Sequence, residues 1–239
     1  HQGAYICGEE TALFNSIECF RGEHRKKQQI QTQSVMFGKP TVENNVETLV
    51  NVLDIVLLGG EAFADVGTPD STGTRLFCLS GAIDRAGVYE VEFGTTLREL
   101  LEFAGGPPDD LTAILLGGAA GSFVGPDMLD LPLTFEDSRA AGVSLGSGVV
   151  VVYDSSVDMK AVARRIARFF RDESCGQCVP CRVGTVRLEE SLARSLTGGT
   201  PLEADLIDDI DRAMQDASIC GLGHTAASAI QSAIRLGLL

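Results

Sequence analysis

Apolar residues recur with two different periods along this chain, and the changes of period predict its elements. Val42, Val46, Leu49, Val50, Leu53 and Leu57 fall at helical spacing, on one face of a helix that Gly59-Gly60 ends. Asn44 and Asn45 stand near its start, where short polar side chains serve as caps. Further on the period drops to two. Tyr89, Val91 and Phe93 alternate with Glu90 and Glu92, as in a half-buried strand. Thr95 or Thr96 then caps a short helix carrying Leu97, Leu100 and Leu101, stopped by Gly105-Gly106. Val149 to Tyr153, the longest apolar run, reads as a buried strand behind Gly148. From Ser156 the helical period returns. Met159, Val162, Ala163, Ile166, Phe169 and Phe170 form one stripe, and a second helix is expected after Cys181, stopping at Gly198-Gly199. Leu206, Ile207, Ile210 and Met214 mark a third helix, and Ile230 and Ile234 a fourth.

These elements divide the chain into three textures. A mixed segment is followed by a compact α+β segment of about residues 72–154, with Gly/Pro turns between strand, helix and strand. Four short helices then form a small bundle. Internal repeats and low-complexity tracts are absent from the sequence.

Composition narrows the function. A chain of 239 residues with 44% hydrophobic content can bury a real core. Its formal net charge of −14 argues against nucleic acid as a partner, because phosphate binding needs a basic face. No run approaches the roughly 18 apolar residues of a membrane span. The first residues carry no secretory signal, and the chain opens on His1 rather than Met, so a longer chain beginning upstream is expected. Seven cysteines, three of them within seven residues, fit metal-binding thiolates in a reducing compartment better than a disulfide framework. A cytoplasmic protein is therefore expected.

The chemistry concentrates in Glu173-Ser-Cys175-Gly-Gln-Cys178-Val-Pro-Cys181-Arg. Three thiolates at i, i+3 and i+6 can converge on one face of a cubane, and Cys220 is the obvious fourth ligand of a [4Fe–4S] cluster. Structural zinc more often takes two separated cysteine pairs, and disulfides at this density would be strained. Gly221-Leu-Gly223-His-Thr-Ala226 matches a dinucleotide fingerprint, but no strand precedes it and no acidic residue can follow at the required distance. It reads instead as the turn that lets Cys220 reach the cluster. His224 is then either a residue that tunes the cluster or an ordinary helix N-terminal residue.

Three ordered motifs carry a resemblance over essentially the whole chain. They are Gly3-Ala-Tyr5-Ile-Cys7-Gly-Glu9-Glu10-Thr11-Ala, Phe37-Gly-Lys39-Pro-Thr41-Val-Glu-Asn44-Asn45-Val-Glu47-Thr48, and the Cys175–Arg182 segment. Together they resemble the flavoprotein NADH-oxidising subunit, which includes the FMN subunit of complex I. The family also includes the diaphorase subunits of NAD-dependent formate dehydrogenases and NAD-reducing hydrogenases. The resemblance implies an α/β plus α organisation. Residues 1–68 would be the C-terminal part of an FMN/NADH-binding domain, 69–155 a β-grasp domain of the SLBB type, and 156–239 a helical [4Fe–4S] domain. The implied cofactors are the [4Fe–4S] cluster, FMN and NAD(H). Hydride arrives as two electrons while a cluster accepts one, so the flavin is needed between them.

Carried over by position, Tyr5, Gly8, Glu9 and Glu10 resemble the loop lining flavin and nicotinamide, with Glu9 and Glu10 as the candidate catalytic pair. Asn44, Asn45 and Thr48 resemble flavin-contacting residues, and Lys27 a lysine near the dinucleotide. Cys175, Cys178, Cys181 and Cys220 are the implied metal ligands. The family's glycine-rich phosphate loop is absent from this sequence. Gln28-Gln29-Ile30-Gln31 replaces a Pro-Pro-Phe-Pro stretch, so ring stacking on the adenine is lost at that position. Cys19 and His24 stand where glycine and proline are common. The basic run His24-Arg25-Lys26-Lys27 reads equally as a nucleotide-phosphate contact or a solvated loop. Gly221-Leu-Gly223 and Phe169-Phe170-Arg-Asp-Glu-Ser are closer to formate dehydrogenases and hydrogenases than to complex I. The partners implied are a small [2Fe–2S] subunit and a large iron–sulfur or catalytic subunit. A non-catalytic iron–sulfur conduit that has lost NADH binding is the competing expectation.

Overall fold

The structure is a computed structural model and describes residues 4–25, 35–198 and 201–239. Lys27 and Gln28–Gln31 lie outside the described residues. A 3₁₀ turn, Tyr5–Gly8, leads into α1 (Glu10–Ile17). The next helix, α2 (Val46–Leu58), begins four residues later than the apolar spacing from Val42 suggests. Asn45 sets that start: its side-chain oxygen accepts the Glu47 N–H at 2.8 Å, the bond of a capping residue. Gly59 then turns the chain into α3 (Gly60–Ala64). Along α2, Val46, Leu49, Val50, Leu53 and Leu57 all remain exposed.

One mixed sheet follows, formed by β1 (Thr74–Gly81), β2 (Gly87–Glu92), β3 (Leu111–Leu116), β4 (Ser122–Val124) and β5 (Val149–Asp154). The strand order is β2-β1-β5-β3-β4, with β1 and β5 parallel and the other pairs antiparallel. Two further helices lie within this stretch, α4 (Leu97–Phe103) and α5 (Phe135–Ala140). Thr96 caps α4 through a full capping box with Glu99. The alternation of the strands selects the core: Phe77, Leu79, Val91, Val150 and Val152 point inward against Leu97, Leu100 and Leu101 of α4.

The C-terminal helices are α6 (Met159–Glu173), α7 (Val179–Gly198), α8 (Ala204–Ala217), α9 (Gly221–Thr225) and α10 (Ser228–Arg235). Helix α7 starts before Cys181 rather than after it. Pro180 has a preset φ and no N–H to satisfy, so the first helical turn suits it, and that turn takes in Cys181. One mixed sheet together with these helices makes the fold α/β plus α, as expected.

By packing, the chain divides into two units, Val50–Ala163 with Ser228–Leu239, and His1–Leu49 with Arg164–Ala227. In the first, α10 lies against β4, and the Phe123 N–H donates to the buried Ser232 Oγ at 2.8 Å. In the second, α7 packs against α8 so closely that a Cβ at Gly184 would stand 2.4 Å from Met214 Sδ. Glu189 on α7, itself buried, accepts from Arg164 Nε and Arg171 Nη1, each at 3.0 Å. Those two bonds pin α6, which delivers the chain to the cysteine loop. Among the described residues, no helix is long and apolar enough to cross a membrane.

Candidate functional site

The cysteine loop hangs between two helix ends. The last turn of α6 leads into Ser174, whose N–H donates to the Phe170 carbonyl at 3.0 Å. The Cys178 carbonyl accepts the Arg182 N–H at 3.0 Å and so opens α7. Cys178 and Cys181 therefore sit at a helix N-terminus, where free N–H groups favour negative sulfur. Two cations brace the loop from outside: Arg21 donates to the Cys175 carbonyl at 2.6 Å and Arg182 to the Gly176 carbonyl at 3.2 Å.

The structure sets Cys181 within electrostatic reach of Cys175, Cys178 and Cys220. Cys181 is buried, and burial pushes its thiol up to about 11, with Cys178, Cys220 and Cys175 adding to the rise against the lowering bond from Ser174. Burial likewise raises Cys220, where the Leu222 and Gly223 N–H groups oppose the rise and Cys175 and Glu9 add to it. The Gly-Leu-Gly segment is thus the first turn of a helix aimed at the Cys220 sulfur. Helix α8 precedes it rather than a strand, which removes the dinucleotide reading. His224 places Nε2 2.9 Å from the Ser218 carbonyl and is held there as a structural residue of the turn.

One group beside the cysteines is unsatisfied by protein alone. Ser218 Oγ is buried with no hydrogen-bond partner, and Gly223 packs so close to it that a Cβ there would stand 2.3 Å from Ser218 Oγ and 3.1 Å from Cys181 Cβ. An orphaned hydroxyl beside clustered thiols is the surrounding expected of a sulfur-rich group that accepts hydrogen bonds. Among the described residues, no three His, Cys, Asp or Glu side chains gather as a single-ion site. A four-iron cluster does not need such a group, because each thiolate binds its own iron, whereas one zinc draws its sulfurs to about 2.3 Å from a single centre.

The N-terminal residues reach this loop. The Tyr5 N–H donates to Glu173 Oε2 at 2.9 Å, and the Tyr5 ring meets Phe169 edge-on with centroids 4.9 Å apart. Glu9 caps α1: its Oε2 accepts the Ala12 N–H at 2.8 Å and the Thr11 hydroxyl at 2.7 Å. Its other oxygen lies 3.7 Å from His24 Nε2. Gly8 faces open space, and Glu10, Asn44, Asn45 and Thr48 are exposed. Glu43 was not singled out by the sequence, although it lies inside the second motif. Burial raises its carboxyl and the charges of Glu10 and Glu9 raise it further.

Residues 161–236 match the NADH-ubiquinone oxidoreductase-F iron-sulfur binding region, and residues 76–121 match the SLBB domain. The chain is 40% identical to HndC, a component of the NADP-reducing hydrogenase of Solidesulfovibrio fructosivorans, over 96% of this chain and 48% of that protein. It is 39% identical to an NADH-quinone oxidoreductase component of Rickettsia rickettsii, over 98% of this chain and 56% of that one. The NAD+-reducing [NiFe]-hydrogenase in the H2-reduced state superposes with a TM-score of 0.89 at 37% identity, covering 98% of this chain and 40% of that one. The chain thus spans about half the length of the curated relatives it matches.

Proposed function

We propose, from the premise that this chain belongs to the flavoprotein NADH-oxidising subunit family, that it passes electrons between NAD(H), FMN and one [4Fe–4S] cluster. The observation that carries this reading is the attachment of the N-terminal segment to the cysteine loop, through the Tyr5 N–H on Glu173 and the Arg21 guanidinium on the Cys175 carbonyl. A flavin lined by that segment would lie beside the cluster ligands, as a one-electron handover requires.

Cys175, Cys178, Cys181 and Cys220 would hold the cluster, with Ser218 Oγ and the Leu222 and Gly223 N–H groups as donors around it. Tyr5, Gly8, Glu9 and Glu10 would border the flavin and nicotinamide, with Asn44, Asn45 and Thr48 on a second side and Lys27 toward the dinucleotide. The negative charges of Glu9 and Glu10, which act on Glu43, would disfavour phosphate, so this surface would suit the neutral ring rather than the phosphate end of a nucleotide. When bound, FMN supplies the conversion of a two-electron hydride into single electrons. The chain's own part is to hold the ring edge beside the cluster and to keep Cys181 out of water.

The domain bounds proposed are 1–68, 69–155 and 156–239. The finer assignment is a β subunit of an NAD-dependent formate dehydrogenase or NAD-reducing hydrogenase in the cytoplasm, working with a small [2Fe–2S] subunit and a large catalytic subunit. It rests on the residues flanking Cys175 and Cys220. Anaerobic EPR of the purified complex tests the core of this reading. A fast-relaxing [4Fe–4S] signal after NADH alone supports it, and a signal that needs dithionite favours a conduit that no longer takes electrons from NADH.

A further inference from the structure

Cys181 is the most buried of the four cysteines, and its sulfur has a side-chain neighbour. Ser174 Oγ lies 3.2 Å from Cys181 Sγ. The direction of that bond follows from the rest of the loop. The Gly176 N–H donates to Ser174 Oγ at 3.2 Å, which occupies an acceptor position of the hydroxyl and leaves its proton for the sulfur. A cysteine that ligates iron is a thiolate and has no proton to give, so the hydroxyl must be the donor. The result is a short relay from the Gly176 N–H through the Ser174 hydroxyl to the Cys181 sulfur, in which each bond polarises the next.

Both ends of the relay are held. Ser174 is fixed by its own N–H on the Phe170 carbonyl, at the end of the helix that Glu189 pins through Arg164 and Arg171. Gly176 adopts φ +75°, a left-handed conformation that other residues rarely take, and this conformation turns its N–H back toward Ser174. Cys181 is anchored from the other side, its carbonyl accepting the Thr185 hydroxyl at 2.8 Å. A bond with both partners fixed survives reduction of the cluster and can bias it.

We infer that Ser174 is a positioning residue whose hydroxyl, by donating to the Cys181 sulfur, raises the reduction potential of the cluster so that it accepts electrons arriving from the flavin. A hydrogen bond withdraws electron density from sulfur and stabilises the more negative, reduced cluster more than the oxidised one. The inference rests on the ligand reading proposed above.

The test is an EPR-monitored redox titration of the purified complex containing this chain, with iron content measured on each sample. Wild type is compared with Ser174→Ala, Ser174→Thr and Ser174→Val. Ser174→Ala is expected to keep its iron and lose about tenfold in the reduction equilibrium constant, a fall of about 59 mV for one electron. Ser174→Thr keeps the hydroxyl and is expected to stay near wild type, while Ser174→Val, which matches threonine in shape without the hydroxyl, falls with Ser174→Ala. If Ser174→Ala loads poorly, the Thr and Val pair decides the matter alone. Equal potentials in that pair overturn the inference, because packing rather than the hydroxyl would then be at work. A wild type with no cluster at these cysteines sinks the ligand reading itself, whereas a normal cluster with unmoved potentials sinks only the role of Ser174.

Discussion

Gly223 stands against Cys181 across the cysteine site, so close that a Cβ on Gly223 would lie 3.1 Å from Cys181 Cβ. The same Cβ would meet Ser218 Oγ at 2.3 Å. The first turn of α9 and the first turn of α7 therefore approach backbone to side chain, and that approach carries Cys220 to the other three cysteines. Gly223→Ala must push the two turns apart. The expected cost is about 1–3 kcal/mol of stability, the range for overpacking, together with a loss of bound iron. Thermal unfolding and iron analysis check it, and full iron with an unmoved melting point would show that the close approach is not needed.

Cys220 is separated from Cys175 by a long stretch of chain and yet acts on the same group of thiols. Cys220→Ser is expected to lose the cluster or convert it to a three-iron form, seen as reduced iron and a changed EPR spectrum. Unchanged iron with an unchanged spectrum would remove Cys220 from the ligand set.

The α4 cap has its own pH signature. Thr96 accepts the Glu99 N–H while the Glu99 side chain accepts the Thr96 N–H at 2.8 Å. Those bonds hold the Glu99 carboxyl below its ordinary 4.5, the backbone bond first and the hydroxyl second. A carboxyl lowered by folding stabilises the fold above the unfolded value, and that contribution is lost as pH falls through the folded value. Thr96→Ala is expected to cost about 1 kcal/mol near neutral pH, and less once Glu99 is protonated. Denaturant melts near neutral pH and well below the ordinary carboxylate range check this; equal losses at both would contradict the carboxylate's part in the cap.

Ser232 on α10 is buried, and its hydroxyl accepts the Phe123 N–H from strand β4 while donating to the Ser228 carbonyl at 2.9 Å. Ser232→Ala leaves a buried N–H without a partner, at an expected cost of about 1–3 kcal/mol. Hydrogen exchange at the Phe123 amide should quicken at the same time. If that amide remains as protected as in wild type, α10 does not secure the edge of the sheet.

Much of the architecture was readable in local pattern. The stripe from Met159 to Phe170, the short helix carrying Leu97, Leu100 and Leu101, and the run at Val149 each became the element their pattern implies, and of the two cap candidates the structure takes Thr96 rather than Thr95. The short strands β3 and β4 left weaker traces. Leu111–Leu116 buries residues on both faces, so its apolar run shows no alternation to read. The start of α2 moved to Val46 because the cap at Asn45 outweighs an apolar spacing that continues past it.

The sequence by itself determined the cysteine spacing, the capping residues and the helical stripes, all of which depend on neighbours a few residues apart. Only the tertiary structure decided that Gly223 stands against Cys181, that the charges of Glu9 and Glu10 act on Glu43, and that Ser174 faces a sulfur rather than water. Such meetings follow from which surfaces pack once helices and strands exist. A contact between distant residues leaves no period in either segment, and its chemistry becomes legible only when the packing has brought the two together.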